Sequence, residues 1–135
     1  MIGWFYLAIQ RAMHKILIAD DSRFQAQLLA SYLNPKEFEV TFAADALQAW
    51  TAALRSGPQV ILLDINMPGG TGIEVLRRLR ISTKTQNIPV IVISGEQNPA
   101  TESSARDLGA ADFLHKPVEK DQLCAAINRA LNPGR

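Results

Sequence analysis

Four short apolar runs, each ending in a residue useful for phosphate chemistry, constrain this chain more than any other feature. Residues 15–19 lead into Asp20 and Asp21, and residues 60–63 lead into Asp64. Residues 89–93 lead into Ser94, and residues 111–115 lead into Lys116-Pro117. Strands that are apolar on both faces belong in a parallel sheet covered by helices on its two sides. In such a sheet the strand C-termini lie along one edge, and ligands bind just outside them. Residues far apart in the chain then converge on one pocket with three carboxylates, a hydroxyl and an ammonium. A pocket so composed suits a magnesium ion and a phosphoryl group.

The rest of the pattern agrees with five alternations of strand and helix. Strand one is expected at about 15–20 and a helix at 22–33, with Leu28, Leu29, Tyr32 and Leu33 at helical spacing. Ser22 is its expected N-cap, and Asn34-Pro35 stops it. Strand two, 38–42, places Phe38, Val40 and Phe42 on one face, and the helix at 45–55 presents Leu47, Trp50 and Leu54. Strand three, 59–64, is apolar on both faces, and a loop at 66–70 follows. Thr71 and Glu74 then form the pattern of a capping box. Arg77, Arg78 and Arg80 lie toward that helix's C-terminus and read as a solvated basic face. Strand four is 89–94, and its helix opens on Asn98-Pro99 and ends at Gly109. Strand five, 111–115, and a last helix, 119–131, complete one five-fold βα domain.

Length and composition set outer bounds. The 135 residues fit a single domain, and 47% hydrophobic with 20% charged residues is the balance of a globular protein. A net charge of +1 argues against general affinity for nucleic acid or anionic membrane. No apolar stretch approaches the roughly 20 residues that span a bilayer. The single cysteine, Cys124, excludes an internal disulfide and points to a reducing, cytoplasmic location. Residues 1–13 stand outside the repeating pattern and carry Trp4, Phe5 and Tyr6. They lack the basic flank and cleavage site of a signal peptide. Two readings stand: an aromatic segment that packs on this domain, a second copy or a partner, or a natural start at Met13. N-terminal mass spectrometry of the native protein separates them.

The site residues divide the chemistry among them. A carboxylate at the end of the central strand, Asp64, can accept a phosphoryl group as an acyl phosphate. Phosphoryl transfer otherwise asks for positioning and charge neutralisation. Three carboxylates within about 4–5 Å repel by several kcal/mol per pair at intermediate dielectric. A hard divalent cation with oxygen ligands relieves that repulsion. Lys116 pairs with Asp64 and then with phosphoryl oxygens, and Ser94 donates its hydroxyl to one of them. Each residue alone has an ordinary explanation as a turn former or cap. The specificity belongs to the set, on these strands in this order.

With Asp20-Asp21, Asp64, Ser94 and Lys116-Pro117 in place, residues 14–132 resemble the receiver domain of two-component response regulators, in particular the single-domain chemotaxis regulators. The resemblance leaves residues 1–13 as a leader and 133–135 as a tail. It implies an α/β, flavodoxin-like (βα)5 fold, a doubly wound parallel five-stranded sheet in strand order 2-1-3-4-5. It implies Asp64 as phospho-acceptor, and Asp20, Asp21, Asp64 and the backbone carbonyl of Asn66 as ligands of magnesium, or manganese in its place. Ser94 takes the switch hydroxyl position, Lys116 the lysine position with a cis bond to Pro117, and Phe113 that of a switch aromatic. Asn66 and Glu96 flank the path of an attacking water and are expected to tune dephosphorylation toward short lifetimes. Phenylalanine at 113 replaces the more familiar tyrosine, Ala46 a common glycine, and Thr71 a common acid or amide.

The function implied is phosphorelay signalling rather than enzymatic turnover of a separate substrate. A stand-alone receiver accepts a phosphoryl group from a sensor histidine kinase or phosphotransfer protein. The face made by helix four, strand five and helix five then controls a downstream protein; a homodimer is compatible with this. Cys124, Ala125, Ala126 and Arg129 are read as a small-residue surface on that last helix. The alternatives are a receiver-fold interaction module that works without phosphorylation, or a receiver from a longer regulator. A haloacid dehalogenase-type phosphatase fits poorly, since Asp64-Ile65-Asn66 lies on strand three and lacks a second acid. A flavodoxin would need a glycine- and hydroxyl-rich loop where Asp20-Asp21-Ser22-Arg23 stands.

Overall fold

The computed structural model describes residues 13–134. Its elements alternate as β1 (His14–Ala19), α1 (Arg23–Ser31), β2 (Phe38–Ala43), α2 (Ala46–Ser56) and β3 (Val60–Asp64). They continue as α3 (Gly72–Ile81), β4 (Val90–Ser94), α4 (Pro99–Asp107), β5 (Asp112–His115) and α5 (Lys120–Leu131). The five strands pair in parallel in the order β2-β1-β3-β4-β5, as expected. The 66–71 segment, read as a loop, adds a two-residue antiparallel ladder of Asn66–Met67 with Gly70–Thr71. All but Met13 of the expected leader lies outside the described residues.

Period-two alternation along the inner strands divides the core between the two faces of the sheet. Leu17, Ile61, Leu63, Val90 and Val92 point to one side, where Ala49, Ala53, Val75, Leu76, Leu79 and Ala105 cover them. Ile16, Ile18, Val60, Leu62, Ile91 and Ile93 point to the other, under Ala26, Leu29, Leu123, Ala126 and Ile127. α2, α3 and α4 therefore pack on one face, and α1 and α5 on the other.

Ser22, Asp45, Thr71 and Asn98 each cap a helix by accepting a backbone N–H two or three residues on. Only half of the expected capping box forms. The Thr71 hydroxyl accepts from the Glu74 amide at 3.2 Å, but the Glu74 carboxylate turns to Arg77 at 3.0 Å.

Several expected contacts fall elsewhere. α2 lies close on the sheet through Ala49 and Ala53, so Leu47 is 69% exposed and Leu54 also faces outward. On α1, Leu28 is likewise exposed while Ala26 and Leu29 are buried. Phe42, near the end of edge strand β2, is 52% exposed. Of the three arginines of α3, Arg77 and Arg78 are exposed, as a solvated face expects, and Arg80 is not. Arg77 pairs with Glu74, and Arg78 stacks over the Trp50 ring at 4.9 Å. Arg80 donates to the carbonyls of Gln86, Ile88, Leu108 and Gly109 at 2.9–3.2 Å, tying α3 to the C-terminal end of α4.

Residues 124–126 of α5 cannot share one surface, because successive helical residues are about 100° apart. Cys124 turns toward the Tyr32 carbonyl at 3.8 Å, Ala126 enters the core, and Arg129 bridges to Asp112 at 2.8 Å. The expected small-residue surface therefore does not exist as a unit.

Candidate functional site

Register sets out the site in steps. Ala19 pairs with Leu63, so Asp20 and Asp64 stand level at the ends of β1 and β3. Asp64 pairs with Ile93, which puts Ser94 one residue further along, and Ser94 pairs with His115, which puts Lys116 one further still. The parallel order thus brings together all the residues expected at the strand ends.

Asp20 and Asp64 are 4% and 5% exposed, and Asp21 is exposed at the rim. Carboxylate oxygens of Asp20, Asp21 and Asp64 all lie within 4.8 Å of one another. Lys116 reaches between them, with its Nζ 3.4 Å from Asp64 Oδ1 and 3.5 Å from Asp20 Oδ2. One ammonium does not balance three carboxylates. Burial, and then the Asp20 charge, hold the Asp64 carboxyl above the usual range, while Lys116 and the Asn66 backbone amide pull it down. Asp20 Oδ1 accepts from the Ser22 amide at 2.9 Å, but Asp20 Oδ2 is buried with no hydrogen bond, the Lys116 ammonium reaching it only as an ion-pair contact at 3.5 Å. A buried acceptor of this kind is costly unless something fills its coordination. The oxygen-only donor set, its excess negative charge and this orphaned atom together fit a hard divalent cation.

The mouth is closed by two further residues. Asn66 Nδ2 donates to Glu96 Oε1 at 3.1 Å, so the hairpin beyond Asp64 touches the loop beyond Ser94. Ser94 is fully buried, and its hydroxyl accepts from the Glu96 amide at 3.0 Å and donates to the Glu96 carbonyl at 3.3 Å. Phe113 is 6% exposed, packed inside and edge-on to His115 at 5.3 Å. The Lys116–Pro117 bond is cis.

Sequence reasoning missed Gly72. Its N–H donates to the Ile65 carbonyl at 2.6 Å, and a Cβ there would strike the Asp64 carbonyl oxygen and come within 2.8 Å of Ile65 Cα. α3 can therefore begin directly behind the acceptor aspartate only with glycine at this position. The available signal was a glycine placed as the first residue of a helix, where no turn requires it.

The model of the response regulator receiver domain matches residues 16–128. This chain belongs to that family. It is 33% identical over 119 residues to the protein PilH of Pseudomonas aeruginosa, covering 88% of this chain and 98% of PilH. It is 35% identical over 113 residues to the response regulator PleD of Caulobacter vibrioides and 36% over 118 to RcaC of Microchaete diplosiphon. These matches take in 84% and 87% of this chain, but only 25% of PleD and 18% of RcaC. The chemotaxis response regulator CheY4 of Vibrio cholerae superposes with a TM-score of 0.81 at 30% identity, over 88% of this chain and 99% of CheY4. The fold is the CheY-like flavodoxin fold, and the receiver domain is a signalling domain of two-component phosphorelays. Among the described residues, no helix is long and apolar enough to cross a membrane.

Proposed function

We propose that this receiver takes a phosphoryl group onto Asp64 from a sensor histidine kinase or phosphotransfer protein and signals through the face made by α4, β5 and α5. The observation that carries this reading is the buried Asp20–Asp64–Lys116 cluster with its unfilled Asp20 oxygen. Asp20, Asp21, Asp64 and the Asn66 carbonyl are the residues to hold magnesium, which when bound neutralises negative charge on the carboxylates and the phosphoryl oxygens.

An Asp64 carboxylate oxygen attacks the donor's phosphorus, forming the P–O bond of an acyl phosphate as the bond to the donor's imidazole nitrogen breaks. Lys116 stays beside both carboxylates and moves its ammonium onto the new phosphoryl oxygens. Ser94 exchanges its two bonds to the Glu96 backbone for one to the phosphoryl group. That exchange frees the 94–98 segment, which leads straight into α4. Phe113 is already inside in this conformation, so the rearrangement starts from a buried ring and repacks it against the shifted loop. Asn66 and Glu96, in contact across the mouth, must part to admit a water, and they set how fast the phosphoryl group is lost.

The test is amide-shift mapping in magnesium with and without beryllofluoride. The reading expects shifts at residues 94–98, along α4 and around Phe113. Binding without change in those segments would overturn the output face. No binding at all would favour an interaction module that works without phosphorylation.

A further inference from the structure

Of the five helices, α4 is the most weakly seated. Ala105 is its one buried residue, whereas every other helix buries at least two and α3 buries Gly72, Val75, Leu76 and Leu79. Burial stabilises in proportion to apolar area, so a single methyl anchors little. Midway along, Glu102 reaches His115 of β5 at 3.4 Å, a solvent-exposed contact and so a weak tie. The two ends are held very differently. At the N-terminal end, residues 95–98 follow Ser94, whose hydroxyl makes two neutral bonds to the Glu96 backbone at 3.0 and 3.3 Å. At the C-terminal end, Arg80 Nε and Nη2 donate to the carbonyls of Leu108 and Gly109 at 2.9 and 3.1 Å. A helix end leaves such carbonyls without intrahelical partners. Arg80 Nη1 holds the carbonyls of Gln86 and Ile88 at 3.2 and 2.9 Å, just before β4. Leu108 packs against the core, and the Ala111 amide donates to the Val90 carbonyl at 2.8 Å. One half-buried guanidinium thus joins α3, the approach to β4 and the end of α4.

We propose that α4 is a lever hinged on Arg80, a positioning residue that holds Leu108 and Gly109 still while the N-terminal end of the helix swings. The motion rests on the phosphoryl reading of Asp64, because it starts when Ser94 leaves the Glu96 backbone. Four charge-assisted bonds at one end outlast two neutral ones at the other. The fixed end has a firm base, since α3 starts against the Asp64 and Ile65 backbone and is buried along one side. Nine residues at the helical rise make a lever of about 13 Å. Helices shift by about 1–2 Å in switching proteins, so about 2 Å at Pro99 is a tilt of about 9°. The displacement falls to almost nothing at Asp107. A partner that reads the state of Asp64 must therefore touch the N-terminal half of α4, around Ala100 and Ser103, rather than Arg106 and Asp107.

Spin-label distances by double electron–electron resonance test the hinge in the full chain carrying Cys124→Ala. One label stands at Ala100→Cys or Asp107→Cys, and the other at Arg77→Cys on α3 or Gln122→Cys on α5, all exposed positions. Fluorine resonances of bound beryllofluoride report occupancy of the Asp64 site separately. On binding with magnesium, the Ala100 label should move by about 2 Å from at least one reference, and the Asp107 label by under about 0.5 Å from both. Arg80→Met keeps the length of the stem and removes every donor. It should bind beryllofluoride within about twofold of the parent, yet let the Asp107 label move as far as the Ala100 label. A purely structural role for Arg80 would leave that ratio of displacements unchanged. With beryllofluoride bound, equal movement of both labels, movement of neither, or the parent pattern in Arg80→Met each overturns the hinge alone. Absence of any bound fluorine resonance overturns the Asp64 reading and the hinge with it. The parent pairs decide between a hinge and a translation even where Arg80→Met does not fold.

Discussion

Gly72→Ala is the substitution that most sharply tests how the acceptor aspartate is held. The added methyl would overlap the Asp64 carbonyl oxygen, and would stand 2.8 Å from Ile65 Cα and 3.1 Å from the Asp64 carbonyl carbon. All three are backbone atoms, so no rotamer change relieves the overlap. Either α3 lifts away or the end of β3 moves, by about 0.5–1 Å to restore ordinary contact. Overpacking of this sort costs about 1–3 kcal/mol. The higher helix propensity of alanine returns at most about 1 kcal/mol. A net loss of about 1–2 kcal/mol lowers Tm by roughly 3–10 °C in a domain of this size.

The displacement also falls on Asp64 itself, so magnesium affinity should weaken together with stability. Circular dichroism melts with and without magnesium read both effects. Gly95→Ala is the control, because a Cβ there meets nothing closer than Lys116 Cδ at 3.9 Å. It should stay within about 0.5 kcal/mol of wild type. A Gly72→Ala protein as stable as wild type would refute the close approach of α3 to the acceptor.

Three further predictions concern charge and tethering. Burial and Asp20 raise Asp64 in the folded state, so the stability of the protonated form is present below the unfolded value of 3.8 and is lost as pH climbs through the raised folded value. Asp64→Asn should therefore melt higher than wild type at pH 7, with the difference gone near pH 3; a gain independent of pH would contradict the reasoning. Magnesium at about ten times its Kd should stabilise the wild type by about 1.4 kcal/mol, an effect absent in Asp20→Asn and reversed by a chelator in the wild type. Arg80→Ala leaves four backbone carbonyls without their donor and should cost about 2–4 kcal/mol, whereas Arg77→Ala, which breaks only an exposed pair with Glu74, should cost under about 0.5 kcal/mol in urea titrations.

The strands were legible because apolar runs such as 60–63 have one stable environment, a covered parallel sheet, and that environment fixes where Asp64 must lie. The same logic placed Asp20, Ser94 and Lys116, whose neighbours in sequence are strand residues. Helix faces were harder to read. Leu47 and Leu54 suggested a buried stripe on α2, but close packing selected the small Ala49 and Ala53 instead. Arg80 defeated a reading based on charge alone, because its guanidinium satisfies distant carbonyls that sequence spacing cannot reveal. Gly72 escaped for the same reason, since its neighbour is the backbone behind Asp64 and not a residue beside it in the chain. Ser94 was placed correctly, but its bonds to the Glu96 backbone depend on how the loop after β4 turns.

The most direct test of the central claim is intact-mass analysis after incubation with acetyl phosphate and magnesium. The account predicts a single phosphoryl adduct on the wild-type chain that requires magnesium and is absent from Asp64→Asn. An adduct that persists in Asp64→Asn, or that forms equally well with magnesium removed, would contradict it.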